Sequence, residues 1–371
     1  MLTGDSIADD VSGRIGRIAI QIASSLFDAK NIEKKYAYEQ LLGSFPAGVH
    51  LDVVTDDAIV TQVREWLSCL ELSCSFSMVA VAGGKVSSST TWMRDAFIRG
   101  TRNGTTGYLK CLASKSGNDQ ARWLAAANGT PVVCVPDVLL EGGDSLVGVD
   151  FRLVGHGAVK QTSDIAGCLC DYDTALRRIE ALDSRPLFVV GYRPEDIRNK
   201  SSLAATGNAA LASVDPASRP ASNELNQSWG HIDLVVSLTG RKHESKDVLL
   251  VAETVLSDNP DRDEIRESDR LWALAKYLRD CGFHVIRNPA PYALPSGDTL
   301  WYNNTIVQTD PDLVWLPQFA QPGGRFADTD EANRKIWCDL GFKVIPVAGW
   351  MAYESSGGSI RCATSVLERR R

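Results

Sequence analysis

The 371-residue chain is 44% hydrophobic and carries a formal charge of -7 with a pI near 5.4, which allows a substantial core and opposes a nucleic-acid partner. Nine cysteines, only Cys168 and Cys170 of them close together, fit a reducing cytoplasm; Cys-x-Cys alone is poor zinc spacing, so neither metal nor organic cofactor is expected. The acidic start MLTGDSIADD is unlike a secretory signal, and no apolar run nears the roughly 20 residues that span a bilayer. A cytoplasmic protein without a membrane partner is expected, and a homo-oligomer is compatible with the sequence.

Residues 1–46 include IGRIAIQIASSLF and IEKKYAYEQLL, which at helical spacing read as an N-terminal helical segment on the outside of the fold. From His50 onward one order of elements recurs: strand, helix, strand, loop, strand. The first unit runs HLDVVT, DDAIVTQVREWLSCL, FSMVAVA and then WMRDAFIRG at 92–100. The second runs GYLKCLA, GNDQARWLAAANG, PVVCVP and LLEGGDSLVGVD at 139–150. The third is AGCLCDY, DTALRRIEALDS and PLFVVGY, followed by a polar insertion at 195–228 and then GHIDLVVSL at 230–238. The insertion is rich in Ser, Ala and Asn and reads either as a lid over a site or as a surface excursion.

The last two units match without a gap. DCGFHVIRNPAPYALPSGDTLWYNNTIV, Asp280 to Val307, lies over DLGFKVIPVAGWMAYESSGGSIRCATSV, Asp339 to Val366. Each copy follows a helix-like stretch with glycine just past its end, and an apolar strand before that, DVLLVAET or DLVWLPQF. Five such units in one chain predict a single α/β domain over 1–371, a closed propeller-like ring with fivefold pseudosymmetry.

In a ring, corresponding segments converge on one axis. The final strands begin with Asp95, with Glu141 and Asp144, with His231 and Asp233, with Asn303, and with Cys362. Taken singly these are weak signals: a lone cysteine is more often a small buried hydrophobe, and EGGD reads as a glycine turn. Together they suit attack on a guanidinium. Paired carboxylates such as Asp95, Glu141 and Asp233 would hold the planar cation in bidentate fashion. A free thiol of pKa about 8.5 needs a neighbouring cation to attack at neutral pH, and Arg361, His231 or the substrate itself could supply it. Imidazole at His231 is matched to protonating the departing nitrogen and then activating water, and Asp233, two residues on in the same strand, would face the same way.

With these residues in view, the chain resembles the guanidino-group-modifying enzymes of the pentein superfamily: arginine, agmatine and peptidylarginine deiminases and the amidinotransferases. The matching motifs are WMRD at 92–95, LEGGD at 140–144, GHID at 230–233 and GGSIRCATS at 357–365. The resemblance implies a fivefold α/β propeller, a covalent amidino intermediate on Cys362, His231 as acid and base, and Asp95, Glu141 and Asp233 around the guanidinium. The chain lacks the tryptophan- and proline-rich opening associated with agmatine deiminases, and Arg361 stands before the cysteine where those enzymes usually carry histidine. Arginine there is more like arginine deiminases, whereas GGS-x-x-CAT and the following LERR are similar to amidinotransferases.

The function expected is therefore hydrolysis of the guanidino group of arginine or a related small molecule, releasing ammonia. The alternatives are amidino transfer to an amine, action on arginine within a peptide, and a binding module without activity. Arg94, Arg99, Arg241 and Arg361 are candidates for holding a substrate carboxylate, and Asp144 and Asn303 for contacting the substrate.

Overall fold

The computed structural model describes residues 4–83, 86, 92–112, 119–165, 169–191, 230–257, 260–293, 298–321 and 323–370. The insertion at 195–228 and Cys168 lie outside the described residues. In chain order the first elements are β1 (Ser6–Ile7), β2 (Arg14–Gln21), α1 (Ile32–Gly43), β3 (His50–Asp56), α2 (Val60–Cys69) and β4 (Ser75–Val81). Then come β5 (Ile98–Arg102), β6 (Thr105–Leu112), α3 (Gln120–Asn128), β7 (Val132–Leu139), β8 (Ser145–Val147), β9 (Arg152–Gly155), α4 (His156–Ser163), α5 (Tyr172–Glu180) and β10 (Leu187–Val190). The C-terminal part holds β11 (Val236–His243), β12 (Lys246–Val255), α6 (Arg262–Asp280), β13 (His284–Ala293), β14 (Asp298–Thr299), β15 (Ile306–Thr309), β16 (Asp312–Pro317), α7 (Ala327–Asp339), β17 (Lys343–Val347) and β18 (Thr364–Arg370).

These strands form five separate sheets, ordered β1-β5-β6-β7, β10-β9-β8, β11-β12-β13-β14, β15-β16-β17 and β18-β2-β3-β4. One step recurs in all five. A strand enters antiparallel to its neighbour (β5 to β6, β8 to β9, β11 to β12, β15 to β16, β18 to β2), and a helical crossover then places the next strand parallel. The strand that follows each polar loop therefore belongs to the next sheet, and the last one, β18, pairs with the first long strand, β2. No sheet among the described residues closes on itself.

The helices form where their ends are capped. Asp261 accepts from the backbone N–H of Asp263 and Glu264 to start α6, and Asp171 does the same from Thr174 at α5. Gly129, at φ +69°, stops α3 in the left-handed region where glycine costs least. The apolar faces merge into a core that draws on all five sheets and contains the buried indoles of Trp315, Trp337 and Trp350. Among the described residues no helix is long and apolar enough to cross a membrane.

Two expectations from the sequence are corrected. IGRIAIQ is the strand β2 rather than a helix, although IEKKYAYEQLL is helical as expected (α1). Nearly every β2 residue is buried, so the period-two alternation is absent and its isoleucines imitate helical spacing. In the third unit the leading strand is β9, four buried residues before α4, and not AGCLCDY, whose Asp171 caps α5.

Candidate active site

The turns that lead into the antiparallel entry strands bring the chemistry together. Short 3-10 turns at Met93–Ala96, Gly142–Asp144 and Ile232–Leu234 precede β5, β8 and β11 and pack on one another. Asp233 therefore reaches the site from a turn and not from a strand face. Close packing demands glycine at the centre. A β-carbon on Gly143 would lie 2.5 Å from His231 Nδ1 and 3.0 Å from Asp95 Oδ1. Instead the Gly143 N–H donates to Asp95 Oδ1 at 3.0 Å.

His231 lies between two carboxylates, with Nε2 2.8 Å from Glu141 Oε2 and Nδ1 3.5 Å from Asp95 Oδ1. Burial opposes charge on the ring, but Asp95, Glu141 and the more distant Asp144 and Asp233 outweigh it and raise its pKa to about 10. It is an imidazolium at neutral pH. Burial raises Asp95 to about 6, with Glu141 and Asp233 adding to the rise and His231 opposing it. Asp95, Glu141 and His231 are also the one trio of residues, among those described, whose ligand atoms lie close enough, within 4.8 Å, to hold a metal ion. A ring protonated at both nitrogens can donate a proton, and it would have to lose one to ligate a metal.

Cys362 is buried, and its Sγ accepts from Asn304 Nδ2 at 3.1 Å and lies 4.0 Å from Asp233 Oδ2. Burial, then the charges of Asp233 and Asp95, hold this thiol far above the ordinary range. Asn304 organises the loop as well: its Oδ1 accepts from the backbone N–H groups of Ser359, Arg361 and Cys362, each at 3.1 Å. Asp233 is completely buried. Its Oδ2 accepts from Arg361 Nε at 3.1 Å, while its Oδ1 has no hydrogen-bond partner among the described residues.

The structure thus assembles Cys362, His231, Asp95, Glu141 and Asp233. It does not bring the remaining candidates into contact with them in the expected way. Asp144 faces away, accepting from the N–H of Ala158 at the start of α4 and of Ile232. Asn303 joins a buried amide cluster with Asn288, and its neighbour Asn304 meets the thiol. Asn304, and not the aligned Asn303, is the residue of that loop that contacts the thiol. Arg241 stacks on Phe342 and pairs with Asp312 at 2.8 Å, away from the site. Arg99 lies over the Tyr108 ring.

Arg94 and Arg361 are interior braces. Arg94 donates to Gly142 O and to Asp10 Oδ1, and Arg361 donates to Asp10 Oδ2 as well as to Asp233. Asp10 is buried, and although burial opposes it, Arg361 and Arg94 hold its carboxyl below the usual range. Neither Asp10 nor Asn304 stood out in the sequence. Asp10 sits in an acidic opening far from every motif, and Asn304 lies within one residue of the aligned position.

No family model matches the chain, and no curated protein does. Similarity appears among solved structures. The chain superposes on C. jejuni agmatine deiminase with a TM-score of 0.62 at 12% identity, covering 99% of this chain and 97% of that one. On agmatine deiminase of Enterococcus faecalis the TM-score is 0.61 at 12% identity, covering 98% and 95%. At such identity the likeness defines the fold alone: this chain has the mixed α/β fold of these agmatine deiminase structures.

Proposed function

We propose that the protein is a cysteine-dependent hydrolase of small guanidino compounds, arginine or a relative, that leaves a ureido product and releases ammonia. In this reading 1–371 is one catalytic domain, its five sheets set around a common axis. The observation that carries the proposal is the pairing of a fully buried carboxylate oxygen, Asp233 Oδ1, without a partner among the described residues, with a thiol whose Sγ lies 4.0 Å from the other oxygen. A buried acceptor without a donor is costly, and a flat cation with N–H groups on two edges would satisfy Asp233 and Asp95 at once.

The chemistry follows from these charges. A bound guanidinium offsets the carboxylates that keep the Cys362 thiol protonated, so the thiol can lose its proton to solvent only once substrate is in place. The thiolate forms a C–S bond to the central carbon. The tetrahedral adduct then expels ammonia, which takes its proton from the His231 imidazolium. The ring, now neutral and held by Glu141, accepts a proton from water as the oxygen attacks the same carbon. The C–S bond then breaks, the adduct's hydroxyl proton passes to the departing sulfur, and the ureido product and the thiol are released.

Incubation with arginine, with and without glycine, is expected to yield citrulline and ammonia in equal amounts. The Cys362→Ala variant should lose at least about four orders of magnitude in kcat. Ornithine together with a new guanidino product would contradict the hydrolase and favour amidino transfer.

A further inference from the structure

A cavity of about 470 Å³ lies against Trp92, on the side of the indole away from the buried thiol. Its inner wall is Trp92, which precedes the turn that carries Asp95. A β-carbon built on Gly358 would lie 3.0 Å from the Trp92 ring and 3.2 Å from Cys362 Sγ, so the indole and the sulfur face each other across that glycine. From Trp92 the wall continues through Tyr353, with ring centroids 5.8 Å apart, to Lys34, whose Nζ sits 5.2 Å above the Tyr353 ring. Lys34 is half-buried and has no ion-pair partner among the described side chains, and Lys30, one turn earlier, lines the same space. The charged side chains among the described residues of this wall are these two lysines alone.

Outward from the thiol the surroundings are therefore graded. Asp95 and Asp233 lie with the thiol on the inner side of Trp92, Trp92 and Tyr353 are aromatic, and the cavity beyond them is cationic at Lys34 and Lys30. Resting on the proposed hydrolase reading, we infer that the substrate is a guanidino compound whose far end is a carboxylate, and that Lys34, supported by Lys30, is the group that selects it. A guanidinium enters toward the carboxylates, its methylene chain lies along Trp92 and Tyr353, and the carboxylate meets the Lys34 ammonium. Desolvation against the rings strengthens that contact relative to an exposed ion pair. An amine at the same place, as in agmatine, meets two like charges, and discrimination of this kind rests as much on repulsion as on attraction. The mouth of this chain thus opposes the compound named for the two proteins it superposes on.

The test compares three substrates that share a guanidino group: arginine, 4-guanidinobutyrate, which keeps the carboxylate without the α-amine, and agmatine, which keeps the amine without the carboxylate. Both carboxylates should exceed agmatine in kcat/KM by roughly tenfold or more, about the worth of one well-placed ionic contact. Lys34→Gln should reduce the arginine-to-agmatine ratio of kcat/KM by roughly tenfold through KM for arginine, and Lys34→Arg should restore it. Agmatine turned over as readily as the carboxylates would overturn this inference and leave the hydrolase reading standing. Failure of all three compounds to react would overturn both.

Discussion

A thiol buried next to carboxylates resists ionisation, and a histidine clasped by two carboxylates resists losing its proton; both effects are visible at single residues here. His231 has a pKa of about 10 in the folded protein against about 6.5 in an unfolded chain. Its contribution to stability is complete below about pH 6.5 and is lost as the pH rises through about 10. The melting temperature of His231→Gln is thus expected to lie furthest below that of the wild type near pH 6 and to converge with it toward pH 10. A gap that widens with pH would refute the assigned charge. Asn304 separates positioning from electrostatics. Asn304→Ala removes the acceptor for three backbone N–H groups and should cost about 2–3 kcal/mol in denaturant unfolding. Asn304→Asp keeps those acceptors but replaces the N–H on the sulfur with a negative charge, so its stability should be closer to wild type while the pH for alkylation of Cys362 moves higher. The sequence pointed to the acids, the imidazole and the thiol because each sits in a short motif at an equivalent loop. Asn304 escaped because its part is a contact across to the Ser359–Cys362 loop of another unit, which an overlay of equivalent positions does not express.

At the scale of elements, the recurring turn before each entry strand does the positioning. EGGD places two glycines where the three turns are in contact, with Gly142 against the Arg94 carbonyl and Gly143 against His231 and Asp95. Gly143→Ala should push the imidazole off its carboxylates, lowering kcat about a hundredfold, since a displacement near 1 Å is worth that much. The fold should lose only about 1–3 kcal/mol, the usual cost of overpacking; wild-type kcat in this variant would show that the ring's position is not held by this turn. The turns were legible as motifs, and so were most strands of the sheets they feed; β9 and β2 were not. β9 is four residues long, too short for a periodic pattern, and β2 is buried along nearly its whole length, so its isoleucines could be read as a helix.

Across the whole molecule, the strand that follows Cys362 pairs with β2, near the other end of the sequence. That long-range pairing has no local signature: the antiparallel partner of β2 is supplied by the last loop, and nothing in the sequence around β2 announces it. The same architecture brings the turns at Met93–Ala96, Gly142–Asp144 and Ile232–Leu234 together from distant parts of the chain, and the fold is shared with agmatine deiminases at only 12% identity. The central claim is that Cys362 becomes covalently bonded to the substrate's amidino carbon during turnover. Acid quenching of the reaction with arginine in the steady state, followed by mass spectrometry of the peptide containing Cys362, tests it directly. The account predicts an amidino adduct on that cysteine alone, absent in Cys362→Ala together with turnover. Citrulline formation that persists in Cys362→Ala would contradict it.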